Sequence, residues 1–163
     1  MLEDICSLNF SILYTTFLEK SFKNKGKSSK YYRTEQNASN DIFLDTYDEK
    51  GNKETRYIIE IKARKIHYDT LILEKGKFKY LKDILEKEKE EGLYKNYKIL
   101  YLNFTPKSTY IFDLTEQDFQ NWNKKWLPKT TASTSFNKYK DITYLNIEDD
   151  FCKKINYVYR NGL

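Results

Sequence analysis

Apolar and polar positions change their spacing several times along the chain, and each change marks an element. From about Glu3 to Lys23, Ile5, Leu8, Ile12, Leu13, Phe17 and Leu18 recur at helical intervals, which predicts an amphipathic helix with Gly26 as a stop. Tyr31 to Glu35 reads as an edge strand, and Asn40 to Asp45 as a second strand. Tyr57-Ile58-Ile59-Glu60-Ile61-Lys62 is short and β-branched, the composition of a central strand buried on both faces. Between these last two lies Asp48-Glu49-Lys50-Gly51-Asn52, where Gly51 and Asn52 tolerate positive φ, so a hairpin is expected. A helix comes next, from near Leu73 to Glu91, with Phe78, Leu81, Ile84 and Leu85 as its buried stripe and Gly92 as its stop. Tyr97 to Phe104 and Ser108 to Asp113 form a second expected hairpin around Pro106, and Thr115 with Asp118 suggests the cap of a short helix. Asn121 to Asn137 reads as loop, Lys140 to Ile147 as a late strand, and Asp149 to Tyr159 as either a helix or a strand. Helix, strands, helix, strands is the order of an α+β (α/β) fold, a mixed sheet flanked by helices.

Composition narrows the function classes. The 163 residues suit one domain with a real core, so residues 1–163 are taken as a single unit. No apolar run approaches a membrane span, charged residues make up 33%, and mean hydropathy is −0.82. The acidic start Met1-Leu2-Glu3-Asp4 lacks the layout of a signal peptide, so the cytoplasm is the default location. Cys6 and Cys152 have no metal-type spacing and read as free thiols. A net charge of +5 is compatible with a nucleic-acid partner without demanding one. The Lys, Asn, Ile and Tyr content fits an AT-rich genome, such as that of a phage or mobile element.

The candidate chemistry sits on the central strand. Side chains alternate across a strand, so Glu60 and Lys62 point one way and Ile61 the other. A charge in a core strand is costly unless it is paired or metal-bound. An antiparallel hairpin brings the start of one strand beside the end of the other, which places Asp41 near Glu60 and Lys62.

Asp41-Ile42, a hairpin, then Ile59-Glu60-Ile61-Lys62 resembles the active-site signature of the PD-(D/E)xK nuclease superfamily, the restriction-endonuclease-like and Holliday-junction-resolvase-like enzymes, with Asn40 where the usual proline stands. The resemblance implies a core sheet with a helix on each side and Mg²⁺-dependent hydrolysis of DNA, Mn²⁺ serving as substitute. Carried over by position, Asp41 and Glu60 are metal ligands, Ile61 lends its backbone carbonyl, and Lys62 is the catalytic lysine that positions the attacking water or steadies developing charge. Many members add an acidic residue from the first helix. Glu19 is the candidate, with Glu35 as a competitor and a solvated surface glutamate as the plain alternative. Many relatives act as dimers, so a homodimer is a further expectation.

Other residues carry two readings each. Lys23, Lys25, Lys27 and Lys30 are a phosphate-contacting loop or a solvated linker, and Arg64 and Lys65 are phosphate contacts or plain surface. His67, the one histidine, reads better as a loop-surface group than as a general base. One of Lys75, Lys77 and Lys79 could line the cleft, though a solvated face is the simpler reading, and Asp45 is expected to face the hairpin end. The hydroxyl-rich Leu127 to Ser135 is a phosphate-binding loop or a mobile connection, and Trp122 and Trp126 are expected to pack on the core. Three function classes emerge: a metal-dependent deoxyribonuclease, a catalytically silent nuclease-like module that binds nucleic acid or protein, or an unrelated small α+β interaction protein in which Glu60 and Lys62 are surface groups. The intact Asp41, Glu60 and Lys62 set favours the first.

Overall fold

The computed structural model describes residues 2–35, 40–128 and 137–156. The first helical segment runs as α1 (Leu2–Leu13), a π-helical stretch (Tyr14–Leu18) and α2 (Glu19–Lys23). Nine strands are described: β1 (Ser28–Arg33), β2 (Ile42–Tyr47), β3 (Lys53–Ala63), β4 (Thr70–Glu74), β5 (Asn96–Phe104), β6 (Thr109–Asp113), β7 (Asn123–Pro128), β8 (Asn137–Asn146) and β9 (Cys152–Ile155). The helix α3 (Lys75–Glu91) lies between β4 and β5.

A six-stranded sheet has the order β1-β2-β3-β5-β6-β9, and a three-stranded sheet the order β4-β8-β7. The pair β3–β5 is parallel and the other pairs are antiparallel, so the main sheet is mixed. The β2–β3 hairpin forms as expected, its turn closed by Gly51 at φ 80° and by Asp48, whose carboxylate accepts from the Lys50 and Asn52 N–H groups.

Alternation along the strands builds a core on each side of the sheet. On one side Ile58, Ile99, Tyr101, Tyr110 and Phe112 pack with Phe78, Leu81 and Leu85 of α3 and with Leu71, Leu73 and Leu145 of the smaller sheet. On the other side Ile42, Leu44, Ile59, Ile61, Leu102 and Phe104 pack with Phe10, Leu13 and Tyr14 of the first helical segment. A core sheet with a helix on each side is therefore present. No helix among the described residues is long and apolar enough to cross a membrane.

Several local expectations are corrected. Leu71 and Leu73 alternate as strand residues in β4, so α3 begins at Lys75 rather than Leu73. Asn123–Pro128 is an edge strand, not loop; its charged, exposed side chains hide the strand pattern. Thr115 caps no helix; its hydroxyl accepts from Ile99 N–H at 3.0 Å and ties the end of β6 to β5. Trp122 packs against Phe78 and Phe119, but Trp126 is 54% exposed beside Tyr139. Leu8 is also exposed, because the core-facing side of α1 carries Cys6, Phe10 and Leu13. Cys152–Ile155 is strand, which decides the first half of the closing segment. The hydroxyl-rich loop falls mostly outside the described residues.

Candidate active site

β3 carries one column of side chains on its α3-facing side: Arg56, Ile58, Glu60, Lys62, and then Arg64 just past the strand end. β5 runs alongside in parallel, with Tyr101 in register with Glu60 and Asn103 in register with Lys62. The upper part of this column is where the charged groups gather.

Glu60 is only 1% exposed, so each carboxylate oxygen needs a partner. Lys62 Nζ lies 2.8 Å from Oε1, and Lys77 Nζ, from the first turns of α3, donates to Oε2 at 3.1 Å. Of the three lysines that open α3, the fold thus brings Lys77 to the site. Burial by itself would lower the Lys62 ammonium, but Glu60, with Tyr101 and Asp41, outweighs it and raises the group above the ordinary lysine value. Lys62 is therefore a fixed cation at neutral pH, suited to steadying negative charge and unsuited to taking a proton.

Asp41 immediately precedes β2 and brackets Glu60. Its N–H donates to Ile59 O at 2.9 Å, and its Oδ2 accepts from Ile61 N–H at 2.7 Å. This arrangement depends on the Asn40 turn, where the buried Asn40 amide donates to Ile42 O at 3.1 Å and the Thr34 hydroxyl donates to Asn40 O. Although Asp41 opens to solvent on one side, desolvation and then the Glu60 charge push its carboxyl up to about 6, against pulls from Ile61 N–H, Lys62 and Lys77. Asp41, Glu60, Lys62 and Lys77 are thus one electrostatic cluster. Cys6 of α1 borders it: burial and then Asp41 raise its thiol, so it stays neutral.

The other candidates take separate places. Ile61 turns its side chain into the opposite core and gives its N–H to Asp41. Glu19 is not brought to the cluster: it pairs with Lys23 at 3.3 Å on α2, and neighbouring Phe22 lies against Tyr57, toward the hairpin end of β3. The π-helical stretch Tyr14–Leu18 directly precedes Glu19 and rotates the succeeding turn by roughly 100° relative to α1. Glu35 lies past β1, exposed. Asp45 faces the same side as Glu60 but pairs with Arg56 at 2.9 Å. His67 Nε2 lies 3.3 Å from Asp69, with its ring against Tyr110. Lys23 and Lys27 are spent on Glu19 and Glu54. Sequence reasoning missed Tyr101 and Asn103; the one available signal was a polar Asn inside the apolar run Ile99–Phe104.

Among the described residues no group of three or more His, Cys, Asp or Glu converges as a metal cage. Two hard carboxylates that repel one another nonetheless suit Mg²⁺, which keeps several waters and asks for few protein ligands. The Asp41 carboxylate, held by Ile61 N–H on the strand that carries Glu60, is the observation that fits.

No protein-family model matches the chain, and no curated protein matches it. The chain is similar in structure to Hjc, a Holliday junction resolvase from the archaeal hyperthermophile Archaeoglobus fulgidus, with a TM-score of 0.43, 15% identity, and coverage of 79% of this chain and 84% of that one.

Proposed function

We propose that this chain is a divalent-metal-dependent nuclease that hydrolyses phosphodiester bonds in DNA, as the resemblance of its Asp41…Glu60-Ile61-Lys62 signature to the PD-(D/E)xK superfamily implies. The observation that carries the reading is the bracketing of Glu60 by Asp41, two carboxylates held together against their mutual repulsion with Lys62 alongside. Asp41 and Glu60, with the Ile61 carbonyl, would hold Mg²⁺ or Mn²⁺. When bound, such an ion lowers the pKa of a water and offsets charge on the phosphate. Lys62, kept protonated by Glu60, orients the attacking water or steadies the pentavalent charge. Lys77 holds Glu60 from the α3 side and keeps the cluster near neutrality in the absence of metal.

Incubation with plasmid, linear, single-stranded and branched DNA, in Mg²⁺, Mn²⁺ and EDTA and beside the Lys62→Ala protein, tests this. Cleavage that needs the metal and Lys62 supports it, and equal cutting by Lys62→Ala refutes it. A second reading has its own observation: both Glu60 oxygens already carry an ammonium partner, as expected of a silent binding module. DNA binding without cleavage under every metal condition would select it.

A further inference from the structure

The column on β3 contains two arginines whose surroundings differ in kind. Arg56 is spent on carboxylates: its Nε lies 2.9 Å from Asp45 and its Nη1 2.8 Å from Glu88. Arg64 meets only neutral groups among the described residues. Its Nε donates to Asn103 Oδ1 and its Nη2 to Tyr101 Oη, each at 3.3 Å. Its backbone N–H donates to Phe104 O at 2.7 Å, which fixes the residue on the end of β5.

Both supports belong to the site. Tyr101 pairs in register with Glu60, and Asn103 with Lys62. The Tyr101 hydroxyl hydrogen is committed to Ile72 O at 3.1 Å, so its oxygen is left to accept from Arg64. Asn103 is fully buried, and its Oδ1 is aimed at Arg64 by the strand itself. A guanidinium has five donors in a planar fork, and among the described residues these two bonds leave the Nη1 edge uncommitted. The ammoniums of Lys62 and Lys77 are each paired with a Glu60 oxygen, whereas no carboxylate among the described residues pairs with Arg64.

We propose that Arg64, held by Asn103 and Tyr101, is a phosphate-binding subsite next to the Asp41–Glu60–Lys62 cluster, taking nonbridging oxygens of a phosphodiester through its free edge. The proposal deepens the nuclease reading and rests on it for the identity of the ligand. A planar fork matches two phosphate oxygens where a lysine offers a point charge. Arg64 is thus a substrate contact, and Asn103 and Tyr101 are positioning residues.

Two measurements test it separately from nuclease activity. In single-turnover cleavage with Mg²⁺, Arg64→Ala is expected to cut about 100-fold more slowly, the scale of losing one aligned donor to developing charge. DNA affinity should fall by less than about fivefold, because other phosphate contacts carry it. Arg64→Lys should recover part of the rate, and millimolar ethylguanidine should restore Arg64→Ala but not the parent, an effect that a merely structural role would not give. Cutting by Arg64→Ala at the parent rate overturns the subsite and leaves the nuclease reading standing. In EDTA, with no chemistry involved, inorganic sulfate should raise the melting temperature of the parent and of Lys50→Ala, a control on the exposed hairpin turn, more than that of Arg64→Ala and Arg64→Lys. That result supports the subsite even if no DNA is cut; equal shifts in all four proteins overturn it.

Discussion

Two ionic clusters sit on the same side of the β2–β3 hairpin and solve opposite problems. Toward the turn, Asp45 and Arg56 face each other in register, and Glu88 reaches in from α3. Arg56 is further satisfied by the hydroxyls of Tyr32 at 2.6 Å and Tyr94 at 2.9 Å and lies over the Phe43 and Tyr94 rings. Unlike charges meet there, each guanidinium nitrogen has an acceptor, and the cluster is closed. At the far end like charges meet: Asp41 is held at the Glu60–Ile61 step by Ile61 N–H, and burial first, then the Glu60 charge, raises its carboxyl. The first arrangement serves the fold. The second costs the fold stability, and carboxylates perturbed in this way cluster at functional sites.

The contrast breaks most sharply at Lys62 and Glu60. Lys62→Ala or Glu60→Gln should lower metal-dependent DNA cleavage by roughly 10³-fold or more in a plasmid nicking assay. Thermal unfolding of Glu60→Gln should shift only modestly, since the amide keeps the shape and some of the bonds. The mirror experiment is Arg56→Ala. It strands two buried carboxylates and should destabilise by about 3–5 kcal/mol, lowering the melting temperature by roughly 10 °C, while cleavage per folded molecule is retained. If Arg56→Ala silenced folded protein or Lys62→Ala unfolded it, the division of labour would be wrong.

The hairpin and its three charged residues were legible because their signals are local. Turn chemistry at Asp48–Asn52 and β-branched alternation around Glu60 fix pairing and facing without knowledge of the rest. The illegible parts depend on distant chain. Tyr101 and Asn103 reach the site through a parallel pairing with no local turn to announce it, and Lys77 is distinguished from Lys75 and Lys79 only by how α3 docks. Glu19 was a candidate only through what the resemblance implies, with a surface glutamate as the alternative, and it pairs with Lys23 on α2. The strands β4 and β7 were hidden, one by brevity and one by the charged surface of an edge.

Smaller effects sharpen the comparison through pH. The folded Asp41 carboxyl, at about 6, lies above the ordinary value of 3.8. Between these values the folded chain binds more protons than the unfolded one, so this residue's contribution to stability falls as pH rises through about 4 to 6 and stays lost above. Asp41→Asn should therefore melt slightly higher than the parent at pH 7.5 without metal and lose that advantage near pH 4. Metal binding should strengthen as pH rises through 6. A smaller change still is expected from Lys77→Ala: removal of a cation that competes for Glu60 should lower the Mg²⁺ or Mn²⁺ concentration for half-saturation by a few-fold, on the order of 1 kcal/mol.

Manganese binding to the isolated protein, followed by the paramagnetic resonance of free Mn²⁺, is the most direct test that Asp41 and Glu60 share a cation. The expected result is one ion bound per chain by the parent, with affinity reduced at least tenfold in both Asp41→Asn and Glu60→Gln and unchanged in Asp45→Asn. Saturable binding that survives both substitutions, or no binding by the parent at millimolar Mn²⁺, would contradict a shared metal site.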